Sequence, residues 1–340
     1  MAIGYHLLTL ALHATAAWFV MRVAQQLAIP GAPLAGLLFA LHPMQVESVA
    51  WMSEMKNTLS AVCVLWSLHM YLRFDDSGRR ADYLAAVGLF VCALLSKSVT
   101  APLPIVMLLC VFFRTGAIRA RDLARMVPFV AAAIIAGATT VWIEAHQIGA
   151  AGDEFALAWG QRLMLAGRVP WFYLSKILWP ADLSFFYPRW PVAQWTIADA
   201  LPLAMTIAVV VVAIVLAMRQ ITRAPLAAVG CYLAFLAPAA GLVNAYPFRF
   251  SYVANHFAYL AMPGVVVPAA ACITLAVARF GHRRSGPCRC ARHDHVRRGA
   301  GVRRQRDAVS PHHRAQPARR RCAHQSGRDA HRAPYSGSAR

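Results

Sequence analysis

Charged residues are scarce in this sequence of 340 residues: Asp, Glu, Lys and Arg together make up 14% of it, whereas apolar residues make up 59%. A typical soluble domain has about a quarter of its residues charged. The composition therefore predicts a polytopic membrane protein rather than a water-soluble domain.

Several common catalytic motifs are also missing. The sequence contains no G-x-G-x-x-G, Walker A, H-E-x-x-H or G-x-S-x-G element, which excludes the chemistries that those motifs serve. Within the apolar runs, His13 and His69 are the main ionisable groups. A proton-coupled transporter needs more ionisable residues at mid-membrane depth, so this class is disfavoured.

The last 60 residues lack Leu, Ile, Phe, Met, Trp and Lys. Residues 281–340 hold 16 Arg and three Asp, a net charge of +13. Without large apolar residues the segment cannot bury a core, so we expect a disordered tail. The same residue types result when GC-rich codons are read out of frame, and our interpretation is a frameshifted tail. A nucleic-acid-binding arm is disfavoured by the lack of interleaved aromatics, and no Cys or His pair has zinc-finger spacing.

Residues 1–280 contain nine apolar runs long enough to cross about 30 Å of hydrocarbon. They lie near residues 4–21, 26–42, 55–73, 82–96, 98–113, 127–145, 198–218, 225–243 and 258–279. The sequence thus predicts an all-α bundle of about nine transmembrane helices over residues 1–280, followed by the basic tail of residues 281–340.

Basic loops belong on the cytoplasmic side of a membrane, and this rule leaves four loops on the outer face. They are residues 42–54, 96–98, 144–197 and 244–257, and they hold nearly every unusual polar residue of the membrane portion. We therefore expect an extracytoplasmic site. Residues 161–179 predict an amphipathic or re-entrant helix at the interface. The rule also places the N-terminus outside without a signal peptide, so we expect a chain truncated at both ends.

The first outer loop offers two carboxylates. If residues 43–57 are helical, Glu47, Trp51 and Glu54 share one face, where a carboxylate could act as a base or bind a metal or a sugar hydroxyl. The alternative is a pair of solvated acids. Both interpretations stay open for Glu47, and solvation is favoured for Glu54, which lies close to Lys56 and Asn57 in sequence.

Two further stretches carry candidate ligands for a phosphorylated sugar. If residues 246–260 are helical, Arg249, Tyr252, His256 and Tyr259 fall on one stripe, suited to a phosphate and a hexose ring. An interfacial aromatic belt is the alternative. Lys97 lies at a predicted hairpin tip, where its ammonium either meets a lipid phosphate or snorkels to the headgroups.

Four segments together resemble a known family. The series H-P-x-Q-V-E-S-V-A-W-x-x-E-x-K-N (42–57), L-L-S-K-S-V-T-A (94–101), W-F-Y-L-x-K-x-L-W-P-A-D-L-x-F-x-Y-P-R-W (171–190) and Y-P-F-R-F-S-Y-V-A-N-H-F-A-Y-L (246–260) resembles bacterial membrane proteins that carry tetratricopeptide repeats. These are similar to the transmembrane and tetratricopeptide-repeat-containing O-mannosyltransferases. The resemblance implies a GT-C glycosyltransferase fold that uses a polyprenyl-phosphate sugar donor, without a further cofactor, on the extracytoplasmic face.

The resemblance also implies roles for individual residues. Glu47 and His42 would be catalytic, without a metal. The donor phosphate would be held by Lys97, Arg189 and Arg249. The sugar pocket would contain Asn255, His256 and Tyr259.

Three departures from the family pattern limit the transfer of function. The family's acidic first outer loop would precede residue 1, Asn255 stands where an acid is usual, and residues 281–340 contain no 34-residue repeat. We predict a truncated sugar transferase in the bacterial inner membrane, with its site facing outward. Its partners would be membrane lipid, the lipid-linked sugar and a protein acceptor, and not nucleic acid. The alternative is a non-catalytic membrane scaffold that normally carries tetratricopeptide repeats.

Overall fold

The computed structural model describes residues 2–148, 157–192 and 196–284, and the regular secondary structure of this part of the chain is all helical, without a β-strand. Within these ranges eleven α-helices alternate with 3₁₀ turns and irregular loops. The helices are α1 (Ala2–Gln26), α2 (Ala32–Leu41), α3 (Val46–Ala50), α4 (Met55–Ser77), α5 (Arg80–Ser96), α6 (Leu103–Thr115), α7 (Ala120–Ile143), α8 (Trp159–Leu178), α9 (Leu201–Met218), α10 (Ala224–Leu236) and α11 (Pro263–Arg284).

The all-α prediction is confirmed, and each of the nine apolar runs overlaps a helix. Among the described residues, five helical segments are long and apolar enough to cross a membrane, and two shorter apolar helices accompany them. The five are Ile3–Gln26, Ser98–Thr115, Ala120–Ile148, Ile197–Met218 and Pro263–Phe280. The count of nine crossings and the GT-C arrangement stay predictions.

Helix α4 lies at the centre of the packing. It runs along α5 and α1, and α1 in turn packs on α2. Helix α11 contacts α2 and α10, α10 contacts α6, and α8 packs against α9. Large side chains such as Phe39, Tyr71, Phe90 and Phe129 fill the space between the helices and are almost completely buried.

The two ends of α4 are polar in different ways. Its first residue follows the carboxylate-bearing loop of residues 42–54, while its last turn carries Asp75, which pairs with Arg114 and Arg125 at 3.5 Å each. Its 23 residues give a length of about 34 Å at 1.5 Å per residue, close to the thickness of a hydrocarbon core. The loop of residues 42–54 and the arginines that pair with Asp75 therefore lie at opposite ends of α4.

The turn at the start of the first outer loop follows from Pro43. Proline disfavours a helical conformation in the residue before it, and His42 is extended, with φ −70° and ψ 128°, which ends α2. Pro43 then occupies the first position of a new turn, where its missing N–H has no consequence.

Residues 246–260 do not form one helix. They contain two short 3₁₀ turns, Tyr246–Arg249 and Asn255–Ala258, separated by extended and bent residues. The prediction that these residues share one helical stripe, which was made for Arg249, Tyr252, His256 and Tyr259, is therefore wrong. The backbone is instead held by side chains from other helices.

The helix predicted at residues 161–179 is confirmed as α8. Leu165, Val169, Tyr173 and Ile177 recur at intervals of four and are buried, whereas Leu163 and Leu178 are exposed. Helix α8 therefore buries one face, while leucines lie among its exposed positions. Its position at a membrane interface stays a prediction. Of the tail predicted at residues 281–340, residues 281–284 continue α11, and the remainder lies outside the described residues.

The contact between α8 and α9 provides a test of the packing. A Cβ atom on Gly167 would lie 2.5 Å from the Cα atom of Leu203. We expect Gly167→Ala to lower the free energy of unfolding by about 1–3 kcal/mol through overpacking. Gly88, on α5, has open space around its Cα position, so Gly88→Ala should be neutral or stabilising. Thermal unfolding of both variants in detergent micelles checks this, and equal effects would contradict the described packing.

Candidate functional site

Contacts join the described parts of the four predicted outer loops. Hydrogen bonds link the first loop to α8 and to His256, and Lys97 reaches the first loop from the break between α5 and α6. Glu144, at the end of α7, accepts a hydrogen bond from the Tyr246 N–H at 3.0 Å. The clustering that the charge rule predicted is thus present in three dimensions.

A carboxylate and an imidazole from distant parts of the chain form the centre of this cluster. Glu47, on α3, places Oε1 2.6 Å from Nδ1 of His256. The side chains are 6% and 13% exposed, respectively. Among the described residues, the buried Oε2 of Glu47 has no hydrogen-bond partner.

The Glu47 contact fixes the tautomer of His256. A carboxylate only accepts hydrogen bonds, so in the neutral form of the ring Nδ1 carries the proton and Nε2 keeps its lone pair. The ring of Trp51 lies 6.3 Å from the imidazole in an edge-on arrangement. An imidazole oriented by a carboxylate, with its second nitrogen unprotonated, has the geometry of a general base.

A second polar network lies beside this pair. Glu54 is 3% exposed and contacts Nζ of Lys97 at 3.3 Å and Nζ of Lys56 at 3.4 Å. Asn57 Oδ1 also accepts a hydrogen bond from the Lys97 ammonium. The interpretation of Glu54 as a solvated acid is therefore wrong: the helix turn faces inward, and the carboxylate is buried with a cation.

Lys97 is likewise buried rather than snorkelling. Its side chain is 14% exposed. Burial lowers the pKa of Lys97, while the Glu54 carboxylate, and more weakly that of Glu47, raise it. Its ammonium is thus engaged with the protein. The predicted role of Lys97 in binding a donor phosphate does not agree with this position, and we do not assign it to the phosphate.

Asn57 links the two networks. Its Nδ2 donates to Oγ of Ser48 at 3.2 Å and to the backbone carbonyl of His256 at 3.0 Å. In the sequence Asn57 was only a polar neighbour of Glu54 within the E-x-K-N element. No local pattern could have revealed its contact with His256, which is 199 residues away.

His42 has both ring nitrogens occupied. Nδ1 accepts the Met44 N–H at 3.2 Å, and Nε2 lies 2.8 Å from the carbonyl oxygen of Ile177. Since Nδ1 accepts, Nε2 is the protonated nitrogen and donates to Ile177. The prediction of His42 as a catalytic residue is therefore not supported by its position: it caps the turn that starts at Pro43 and ties the first loop to α8.

Asn255 and Tyr259 also make protein contacts. The Asn255 amide accepts from the Tyr187 hydroxyl at 2.8 Å and donates to the Ser184 carbonyl at 3.0 Å. Tyr259 is 1% exposed, and its hydroxyl lies 2.7 Å from Nδ1 of His13 between the helices. Of the three residues predicted for a sugar pocket, His256 alone contacts Glu47, and we leave the other two out of the proposed site.

Two arginines lie on exposed parts of the same region. The guanidinium of Arg189 lies 5.1 Å from the centre of the Tyr252 ring, and Arg249 is at the end of the turn Tyr246–Arg249. Both side chains are exposed. Within the described ranges no group of three or more His, Cys, Asp or Glu residues could hold a metal ion.

The fold and site define an all-α membrane protein with a buried carboxylate–imidazole pair at one end of its bundle. The chain is 36% identical over 98 residues to Protein O-mannosyl-transferase Tmtc1 of Drosophila melanogaster, which covers 28% of this chain and 11% of that protein. It is 34% identical over 95 residues to Protein O-mannosyl-transferase Tmtc2 of the same organism, 26% and 10% of the two chains.

The matches thus span about a tenth of the length of these curated relatives. No protein-family model and no solved structure matches the chain. The partial similarity supports a relationship to these transferases and a glycosyltransferase-like membrane protein.

The two lysines that contact Glu54 provide a matched test of burial. Lys97→Met leaves the carboxylate without its buried cation, and we expect the free energy of unfolding to fall by about 3–5 kcal/mol. Lys56 is 51% exposed, so Lys56→Met should cost about 0–1 kcal/mol. Denaturant titration in micelles measures both values. The burial argument fails if the two substitutions destabilise the protein equally.

Proposed function

We propose that this protein transfers a sugar from a polyprenyl-phosphate carrier to an acceptor hydroxyl at the extracytoplasmic face of a membrane. The observation that carries the proposal is the contact between Glu47 and His256, with Oε2 of the carboxylate buried and without a partner among the described residues. The similarity to two proteins named as O-mannosyltransferases supports the same reaction class.

The pair supplies the proton chemistry of the transfer. Nε2 of His256 accepts the proton of the acceptor hydroxyl while Nδ1–H stays bonded to Glu47, whose negative charge stabilises the imidazolium that forms. The acceptor oxygen bonds to the anomeric carbon as the bond from that carbon to the phosphate oxygen breaks. Polyprenyl phosphate leaves with the electron pair, and the anomeric configuration inverts.

The second oxygen of Glu47 serves recognition. A buried carboxylate oxygen without a hydrogen bond costs free energy, and a sugar hydroxyl that donates to it removes this cost. Trp51, which is 40% exposed and adjoins His256, offers an apolar face for the pyranose ring. Donor and base are thereby brought to the same place.

Arg189 and Arg249 hold the donor phosphate in this proposal. Both are exposed and belong to the region around Tyr252, and a guanidinium donates two parallel hydrogen bonds to phosphate oxygens. Lys97 is excluded because its ammonium is bound to Glu54 and Asn57.

The remaining parts of the proposal rest on the sequence resemblance. They are a GT-C type fold, a family whose members carry tetratricopeptide repeats, a site that faces outward from the bacterial cytoplasmic membrane, and a protein as acceptor. A mannosyl group is the first donor sugar to test, because the names of the relatives specify it.

Substitution of the central pair tests the proposed reaction. We expect Glu47→Gln and His256→Gln each to reduce transfer from polyprenyl-phosphate mannose to a Ser/Thr-rich peptide about 10²- to 10⁴-fold, since the oriented base is lost. Glu144→Gln is the matched control, because the amide oxygen of Gln can still accept the Tyr246 N–H. Wild-type transfer rates for Glu47→Gln and His256→Gln would overturn the assignment of this pair as the base. No transfer by the intact chain would favour the scaffold alternative.

The phosphate assignment makes a separate prediction. Arg249→Ala removes a bidentate donor, so KM for the lipid-linked sugar should rise about tenfold or more, with a smaller change in kcat. Arg121, an exposed arginine at the opposite end of the bundle, serves as control through Arg121→Ala. Steady-state kinetics over a range of donor concentrations separates the two parameters, and an unchanged KM would remove Arg249 from the site.

A further inference from the structure

The backbone that carries His256 lacks regular structure of its own. Ala254 is extended, with φ −150° and ψ 144°, and His256 lies in the single 3₁₀ turn Asn255–Ala258. Such a segment leaves backbone N–H and C=O groups without helical hydrogen bonds. When these groups are buried, they need other hydrogen-bond partners. The position of the His256 ring therefore depends on whichever side chains satisfy this backbone.

Tyr173 of α8 is one of the side chains that bond this backbone. Its hydroxyl accepts the Ala254 N–H at 3.0 Å and donates to the Ala254 carbonyl oxygen at 3.0 Å. One phenol thus satisfies both backbone groups of a residue two positions before His256. Tyr173 is fully buried, and burial raises its pKa well above the usual value, so the hydroxyl keeps its proton.

Asn57 of α4 is the second side chain that bonds this backbone. The Lys97 ammonium can only donate, so the amide oxygen of Asn57 faces it and the amide nitrogen faces Ser48 and His256. Nδ2 donates to the His256 carbonyl and to Oγ of Ser48, the residue that follows Glu47. A single amide, 4% exposed, therefore joins the backbone turn of the imidazole to the helix of the carboxylate.

We infer that Asn57 and Tyr173 are positioning residues that hold the His256 imidazole against the Glu47 carboxylate, with Tyr173 fixing the backbone ahead of the histidine and Asn57 fixing the histidine itself. Their role in catalysis rests on the proposed function, whereas their control of the ring position does not. Neither side chain touches the reacting atoms in this arrangement.

Two conservative variants remove these contacts. Asn57→Asp keeps an oxygen acceptor for Lys97 but loses both amide donors, and Tyr173→Phe loses both bonds to Ala254. The matched controls are Thr58→Val, the next residue on α4, whose hydroxyl bonds only within its own helix at Met55, and Tyr232→Phe, whose hydroxyl bonds the Pro170 carbonyl on α8. Monodisperse elution in detergent is required of every variant that is compared.

The first measurement does not depend on activity. Diethyl pyrocarbonate modifies unprotonated imidazole, and peptide mass spectrometry of the full chain reports its rate at His256. We expect Asn57→Asp and Tyr173→Phe to raise this rate severalfold, because the ring leaves its 13% exposed position, and we expect the two controls to match the wild type. Equal rates in all five proteins would overturn the inference.

The second measurement addresses catalysis. Misplacement of a reacting group by about 1 Å costs up to about 100-fold in rate, so kcat should fall about 10- to 100-fold in Asn57→Asp while KM for polyprenyl-phosphate mannose stays unchanged. In a His256→Gln background the same substitution should have no further effect, because it acts through the ring. Additive losses would overturn the inference.

The two measurements separate the two proposals. If labelling of His256 rises as expected but the wild-type chain transfers no sugar, the positioning role stands and the proposed function fails. If the wild type is active and labelling does not change, the proposed function stands and the positioning role fails. Should Asn57→Asp not elute as a monodisperse protein, Tyr173→Phe and its matched control decide the labelling result.

Discussion

The geometry of the candidate site depends on the buried ion pair between Glu54 and Lys97. Both charges lose hydration at this depth, and their pairing offsets much of that cost, with Lys56 as a second contact of Glu54 and Asn57 as a second contact of Lys97. Pairing therefore brings the start of α4 to the break between α5 and α6. It also orients the Asn57 amide, whose oxygen must face the ammonium. The remaining hydrogen bonds of the amide then place His256 beside Glu47.

A second constraint is the irregular backbone at this end of the bundle. Helix ends and turns leave N–H and C=O groups that must find partners, and polar side chains of the conspicuous motifs supply many of them. His42 caps the turn at Pro43, Tyr173 binds Ala254, and Glu144 accepts the Tyr246 N–H. Glu47 keeps one buried oxygen without a hydrogen-bond partner in the described chain, as does the hydroxyl of Tyr252 in the motif of residues 246–260.

This distinction changes how the motifs are understood. A polar side chain in one of the predicted outer loops can bond backbone groups or bind a ligand, and spacing along the sequence does not separate these two roles. The hydrogen-bond partners of the side chains separate the two roles. His42, Asn255 and Tyr259 bond within the protein, whereas one carboxylate oxygen of the Glu47–His256 pair has no partner in the described chain. In the proposed function this pair is the base of the sugar transfer.

The sequence by itself determined the helices and the end of the bundle at which the site lies. Apolar runs of sufficient length must form helices in a bilayer, because no other spanning element of this composition satisfies its backbone, and the basic loops mark one end. Only the tertiary structure decided which polar atoms meet. Glu47 and His256 are 209 residues apart, and residues 246–260 depart from a helix where Tyr173 and Asn57 replace helical hydrogen bonds with long-range ones.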